Sequence, residues 1–293
     1  MNSILPKSND LNPMDENLER IPSILYKYRS FDSCGHSVQL ASNGEAYFAS
    51  AKDFNDPFDN YFIPTTEMSG YDGEDLVAFL REKARQHYPG AYESKIQQLV
   101  ELGKKQHQRI KDGDPKAIGP VLQVQYNGFG IFSLTPDPGS LPMWAYYGDC
   151  HKGMCVGLRS AVIAQHQSAL LRQNMFLMLH KVDYSNIPPE ICIDIGTGGM
   201  TVTQRDQLEA TLYAKYVHWK HEDEYRLIFN RYVGRNYIFG TDAVAEVIIG
   251  SKASEEDMAV LLGQLNRSKS KATVKRAVRS QSQYALDFKE IQR

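Results

Sequence analysis

Cysteine is scarce in this chain of 293 residues, and the four cysteines, Cys34, Cys150, Cys155 and Cys192, form no Cys-x-x-Cys pair. A structural zinc site needs four ligands and usually takes them from two such close pairs. Cys150, His151 and Cys155 lie close together, but a fourth ligand would have to come from a distant part of the chain. The spacing therefore favours reduced, partly buried thiols, and we expect no metal.

Long apolar runs and an excess of one charge are also missing. No stretch is long enough to span a membrane, so we expect no membrane partner. Lysine and arginine number 33 against 35 aspartates and glutamates, and the net charge of −2 gives no general attraction to nucleic acid. Residues 1–20 are polar and lack the apolar stretch of a signal peptide, which predicts a flexible leader and a cytoplasmic location.

The short motifs of several enzyme classes are absent as well. The chain has no phosphate-binding Gly-x-x-x-x-Gly-Lys-Ser/Thr loop and no dinucleotide-binding Gly-x-Gly-x-x-Gly after a strand. It also lacks the Gly-x-Ser-x-Gly elbow of many hydrolases and the His-Glu-x-x-His of zinc proteases. A glycine-rich patch at 196–199 is typical of a flexible loop. These absences count against the corresponding enzyme classes.

Hydrophobic residues make up 42% of the chain, which is enough for a substantial core. Residue patterns predict strands at 24–29, 45–50, 128–134, 153–158, 175–184, 224–230, 245–250, 273–278 and 284–288. They predict helices within 74–109, at 204–217, and from an N-cap at Ser254 to about Leu265. The irregular order favours an α+β fold with an irregular mixed or antiparallel sheet core. We expect a single domain over 21–293 with a helical insert at about 72–127.

Four segments combine charged or amide side chains with aromatic ones: Leu25–Arg29, Phe54–Asp59, Met143–Tyr147 with His151–Gly153, and Trp219–Arg226. Aromatic residues favour half-buried positions, and charges placed among them need partners. These segments therefore predict a polar pocket built by one fold.

The same segments resemble the DUF2971 family, a widespread group of uncharacterised, mostly bacterial proteins. The matching motifs are Tyr26–Arg29, Phe54–Asp59, Ser133-Leu134, Met143–Ala145, His151–Gly153 and Glu222–Arg226. The resemblance covers roughly residues 25–288. The family name assigns no activity, but some relatives are associated with abortive phage resistance, so the resemblance implies a role in phage defence or in a toxin system.

The order of polar residues is also similar to that of ADP-ribosyltransferases of the arginine–serine–glutamate type. Arg29 ends an early strand, Ser133-Leu134-Thr135 ends a middle strand, and Glu222-Asp223-Glu224 leads into a late one. This similarity implies an ADP-ribosyltransferase-like fold and an enzyme that uses NAD as co-substrate, either a transferase with a protein or nucleic-acid acceptor or an NAD glycohydrolase.

In that hypothesis Glu224 stabilises the oxocarbenium-like state as nicotinamide leaves, Glu222 positions or deprotonates the acceptor, and Ser133 orients the ribose. Arg29 holds the diphosphate through paired charged hydrogen bonds. The other residues assigned to NAD binding are polar or aromatic members of the four segments: Tyr26, Lys27, Tyr28, Asn55, Asp56, Trp144, Tyr147, His151, Lys152 and Arg226.

Simpler interpretations of these residues stay open. Asp56 can cap a turn, Trp144 can belong to the core, and Arg226 can neutralise Glu224 from the same strand face. The whole chain can be a non-catalytic module that senses a nucleotide or binds a partner. A third hypothesis is an enzyme that acts on nucleic acid, because residues 267–293 carry eight basic side chains against two acidic ones.

Overall fold

A computed structural model describes residues 21–31, 36–68, 70–114, 116–117, 127–193 and 202–292. The predicted leader, Cys34 and the glycine-rich patch lie outside this part of the chain. The strands are β1 Ile24–Arg29, β2 Glu45–Ser50, β3 Ile63–Thr65, β4 Phe129–Leu134, β5 Met154–Arg159, β6 Leu177–Lys181, β7 Asp183–Ser185, β8 Glu190–Cys192, β9 Ala214–Tyr216, β10 Tyr225–Asn230, β11 Arg235–Ile238, β12 Val244–Ile249, β13 Thr273–Arg279 and β14 Leu286–Glu290. The α-helices are α1 His36–Asn43, α2 Gly73–His87, α3 Glu93–Lys111, α4 Leu141–Tyr146, α5 Ser160–Leu171, α6 Val202–Tyr213 and α7 Glu255–Arg267.

These elements confirm the predicted α+β class, with mixed and antiparallel sheets. The chain divides into two compact units. Unit 1 consists of the segments Met1–Glu45, Thr135–Ser168 and Ile238–Arg293. Unit 2 consists of Ala46–Leu134 and Ala169–Tyr237. The single domain over 21–293 stays a prediction. In the described part of the chain, no helix combines the length and the apolar character needed to cross a membrane.

Unit 1 is built on one five-stranded sheet in the order β1-β5-β12-β13-β14. Neighbouring strands are antiparallel except β12 and β13, which are parallel and are joined through α7. Ser254 caps α7 as predicted, because its hydroxyl accepts a hydrogen bond of 3.0 Å from the Asp257 N–H. Tyr28, Trp144 and Ile248 belong to the core packed against this sheet.

Unit 2 contains a second five-stranded sheet in the order β11-β2-β4-β10-β6. β10 lies between β4 and β6 and is antiparallel to both. Its residues Tyr225–Phe229 are all buried, which is expected for a strand with neighbours on both sides. Two pairs of short parallel strands, β3 with β8 and β7 with β9, complete the unit.

The predicted helices within 74–109 are present as α2 and α3, separated near Pro89-Gly90 as expected. They pack on each other through one apolar face that includes Leu80, Ile96 and Val100. The basic side chains of this pair make exposed ion pairs, such as Arg81 with Glu93 at 2.7 Å. A solvated helix surface therefore accounts for these charges.

The predicted helix 204–217 is wrong at its C-terminal end. The structure ends α6 at Tyr213 and continues as β9, which pairs in parallel with β7. The apolar spacing of Leu208, Leu212 and Tyr216 continued past the true end, because strand pairing with a distant segment leaves no local mark in the sequence.

Candidate functional sites in the two units

Five charged side chains of unit 2 meet in its interior and form what we call the buried ion cluster: Asp59, Lys215, Glu222, Glu224 and Arg226. Their side chains are between 0% and 5% exposed. Charged groups at this depth are costly unless each one is paired. The cluster brings together two of the four motif segments, the turn at Phe54–Asp59 and the stretch Trp219–Arg226.

Arg226 is the centre of the cluster. Its guanidinium donates two hydrogen bonds to Asp59, at 2.7 and 2.9 Å, and bonds of 2.8 and 3.1 Å to the two carboxylate oxygens of Glu224. A further donor reaches the Leu212 carbonyl at 2.7 Å, and the Phe54 ring lies 5.2 Å from the guanidinium carbon. Arg226 is therefore held from several sides, and it neutralises Glu224, as one sequence interpretation expected.

Lys215 is the second cation of the cluster. Its ammonium donates to Glu224 at 3.0 Å and to Glu222, lies 3.6 Å from Asp59, and sits 5.4 Å from the Trp219 ring. The left-handed backbone of Asp223, with φ of 42°, turns the chain between the two glutamates that contact Lys215.

The cluster contains three carboxylates and two cations, and the pKa values of Glu224 and Asp59 shift in opposite directions. Burial alone would raise the pKa of Glu224, but Arg226 and Lys215 hold it well below its ordinary value. Burial raises the pKa of Asp59 despite the same two cations. Asp59 is therefore the carboxyl group of this pair that accepts a proton more readily.

The three predicted catalytic residues all belong to unit 2. Ser133 lies opposite Arg226 in the register of β4 and β10, and its side chain contributes to the lowered pKa of Glu224. Glu222 and Glu224 share Lys215. Arg29, the predicted diphosphate ligand, lies at the end of β1 in unit 1.

Lys215 also lines an open pocket of unit 2, which we call the aromatic pocket. Its volume is about 430 Å³, and its wall includes Phe58, Tyr61 and Tyr216 together with Ser185–Pro189. The side chains of Phe58 and Tyr61 are 62% and 46% exposed and meet edge to face at 5.9 Å. Exposed rings gathered around one concavity are typical of a ligand site.

The NAD-binding roles predicted for Tyr26, Tyr28 and Trp144 need correction, because all three residues are buried in unit 1. The Tyr26 hydroxyl donates to Glu246 at 2.7 Å, and the Tyr28 hydroxyl donates to the Asp137 carbonyl at 2.7 Å. The indole N–H of Trp144 donates to the Pro138 carbonyl at 2.9 Å. Their polar atoms are thus hydrogen-bonded within unit 1, and Trp144 is a core residue.

In the turn Phe54–Asp59, the predicted ligands Asp56 and Asn55 lie in different environments. Asp56 is buried, and its Oδ1 accepts from the N–H of Phe58 at 2.9 Å, which agrees with the turn-capping interpretation. Asn55 is exposed at the surface of the same turn. The same turn carries Asp59, whose carboxylate accepts the hydrogen bonds from Arg226.

The remaining predicted ligands lie in unit 1. Lys27 and Tyr147 are partly exposed, Lys152 is exposed, and His151 stacks on Trp144 with a centroid distance of 6.0 Å. Of the four, His151 lines a pocket of the same unit. In the described part of the chain, no group of His, Cys, Asp or Glu side chains is placed to hold a metal ion.

Lys215 was not predicted as a site residue, although it is the one side chain shared by the ion cluster and the aromatic pocket. A single lysine between the buried residues Leu212 and Tyr213 and the ring of Tyr216 is the signal that could have revealed it. A lysine in such an apolar stretch needs a carboxylate partner, and Glu222 and Glu224 follow within nine residues.

The fold and the site define an α+β protein with a buried ion cluster beside an open aromatic pocket. Residues 143–227 match one family model, described as protein of unknown function (DUF2971). This match supports the family assignment made from the motifs and includes Met143–Ala145, His151–Gly153 and Glu222–Arg226. The segments Tyr26–Arg29 and Phe54–Asp59 lie outside the matched residues. No curated protein and no solved structure matches the chain.

Proposed function

We propose that the chain is a binding module for a nucleotide-like small molecule and that it does not turn its ligand over. The observation that carries this proposal is the hydrogen bonding and burial of the Glu224 carboxylate. Both of its carboxylate oxygens are occupied by Arg226 and Lys215, and the residue is 3% exposed. A carboxylate that stabilises a developing positive charge must face the substrate, and Glu224 instead faces two cations of its own unit.

The aromatic pocket supports the binding half of the proposal. Its volume of about 430 Å³ lies in the range of small-molecule sites, and Phe58, Tyr61 and Tyr216 offer ring faces or edges to a planar ligand. The amide of Asn186 and the hydroxyl of Ser185 add hydrogen-bonding groups that suit the edge of a base or a ribose. The ion cluster behind Lys215 makes one wall rigid, which reduces the entropy cost of binding.

A second candidate is the NAD-consuming enzyme expected from the sequence. The observation in its favour is that Ser133, Glu222 and Glu224 gather around one pair of cations and that Lys215 connects them to the aromatic pocket. For catalysis, a ligand would have to displace Lys215 or Arg226 from Glu224. An ADP-ribosyltransferase-like fold is part of this candidate.

The biological setting is proposed from the family resemblance alone. Association of relatives with abortive phage resistance suggests that the module senses a nucleotide in the cytoplasm during infection. Deletion of the gene from its host should then raise the plating efficiency of at least one phage, and a Tyr61→Ala/Tyr216→Ala allele should behave like the deletion. Unchanged plating across a broad phage panel would argue against this setting.

Titration of NAD and of adenosine into the protein tests the proposed pocket. We expect both to bind, and we expect Tyr61→Ala/Tyr216→Ala to weaken binding at least tenfold, because stacking on an aromatic ring contributes about 1–3 kcal/mol per base. The matched control is Tyr92→Ala, which removes a ring that is 86% exposed at the start of α3 and is not part of the pocket.

Equal affinity of the double variant and the wild type would contradict this location of the site. Failure of both probes to bind at millimolar concentration would contradict a nucleotide-like ligand. Thermal unfolding of each variant shows whether a loss of binding reflects a loss of folding.

A further inference from the structure

Unit 1 contains a loop whose backbone is held in an unusual conformation. Asp149, Cys150 and His151 have φ values of 49°, 52° and 71°, so three consecutive residues other than glycine are left-handed. Each such residue is strained and persists only where its surroundings fix it. The loop carries the histidine of the His-Lys-Gly motif.

Contacts with the end of β12 fix this loop. The N–H of Lys252 donates to the His151 carbonyl at 2.9 Å, and the N–H of Gly250 donates to the Gly153 carbonyl at 2.8 Å. The approach is so close that a Cβ atom on Gly250 would lie 2.2 Å from the His151 oxygen. Lys252 and His151 are therefore held side by side.

The His151 ring lies nearly parallel to the buried ring of Trp144, at an angle of 9°. Its Nδ1 atom is buried and has no hydrogen-bond partner among the described residues. Burial and the neighbouring Lys252 cation lower the pKa of His151. An anion bound close to Lys252 and His151 would offset the charge of Lys252 and favour the protonated, hydrogen-bond-donating form of His151.

Both residues line a pocket of about 650 Å³, which we call the basic pocket. Arg279, at the end of β13, contributes a third basic group, and the loop that follows supplies the hydroxyls of Ser280 and Ser282. None of the described residues that line the pocket carries a carboxylate. Cations and hydroxyl donors without an acidic neighbour match the hydrogen-bonding needs of a phosphate group.

We propose that the basic pocket of unit 1 binds the phosphate groups of a small phosphorylated molecule. Lys252 and Arg279 supply the charge, and His151 with the serine hydroxyls supplies further hydrogen bonds. The volume admits a diphosphate with an attached organic group, and the Tyr284 ring at the rim offers a surface for that group. This inference goes beyond the proposed function, because it concerns a different pocket in a different unit.

Calorimetric titration with inorganic pyrophosphate tests the proposal, since this probe has no ring and so does not report on the aromatic pocket. We expect saturable binding to the wild type and a loss of at least tenfold in affinity for Lys252→Gln/Arg279→Gln. The matched control Lys271→Gln removes one exposed cation of unit 1 that does not line the pocket, and it should change affinity less than twofold.

Tyr61→Ala/Tyr216→Ala should leave pyrophosphate binding unchanged, which separates the outcome of this test from that of the proposed function. The inference is overturned if the wild type binds no pyrophosphate at millimolar concentration. It is also overturned if Lys271→Gln weakens binding as much as the double variant does, because the effect would then reflect general surface charge.

Discussion

Lys215 and Lys220 lie five residues apart, yet one is buried among three carboxylates and the other is exposed. Replacing Lys215 by methionine keeps the length of the side chain and removes its charge. Arg226 would then be the remaining cation of the cluster beside three carboxylates. Removing one partner of a buried ion pair leaves uncompensated charge in the interior, which is far more costly than removing an exposed charge.

We therefore predict that Lys215→Met lowers the free energy of unfolding by about 3–5 kcal/mol. The control Lys220→Met should change it by less than about 0.5 kcal/mol. Urea unfolding followed by circular dichroism measures both values. Similar values for the two variants would mean that the cluster is not formed as described.

The lowered pKa of Glu224 makes a second prediction about acid stability. Its pKa in the folded protein lies below the ordinary value of 4.5. The stabilisation from its ionised form is therefore fully present above pH 4.5 and is lost as the pH falls below that value. Glu224→Gln has no such group, so the difference in unfolding free energy between the wild type and this variant should shrink from pH 6 to pH 3. A constant or growing difference would contradict the assigned pKa direction.

At the scale of single elements, the glycine of the His-Lys-Gly motif has a packing role. A Cβ atom on Gly153 would lie 2.0 Å from the Arg29 carbonyl oxygen, so β1 and the start of β5 need a glycine there. This contact accounts physically for the glycine in the motif. It involves the backbone of Arg29 and does not depend on a ligand.

We predict that Gly153→Ala destabilises the protein by more than about 1 kcal/mol, because backbone atoms must move to admit the methyl group. Gly263→Ala is the matched control in the same unit. Gly263 lies within α7, and a Cβ atom there would lie 3.7 Å from its nearest neighbour, the flexible side chain of Arg267. Alanine at this position should stabilise the helix by about 0.5–1 kcal/mol. Thermal melting should show shifts of opposite sign, and shifts of the same sign would refute the packing role.

Several elements could be predicted from the sequence because their signals are local. The strand predicted at 45–50 matches β2, Glu45–Ser50, and the cap at Ser254 starts α7 as expected. Short helices were missed, since α1 has eight residues and α4 has six, too few to show a clear period. In α5 only Ile163 and Leu170 are buried among the hydrophobic residues, which leaves a weak apolar stripe.

The candidate sites could be predicted only in part, since their residues meet over long sequence separations. The motif stretches did identify Asp59, Glu222, Glu224 and Arg226 as unusual. The ion pair between Arg226 and Asp59 joins residues 167 positions apart, and no local pattern specifies it. The similarity to transferases rested on the order of polar residues alone. That order does not show that Glu224 is already occupied by two cations.

For the whole molecule, we propose that the glutamates of unit 2 serve an ion cluster beside a binding pocket and do not act on a substrate. The most direct measurement is incubation of the purified protein with NAD, followed by quantification of released nicotinamide. Glu224→Gln is assayed in parallel, with its folding verified by circular dichroism. We predict no release above the spontaneous rate from either protein. Release by the wild type that is lost in a folded Glu224→Gln variant would contradict this proposal and establish an NAD-consuming enzyme.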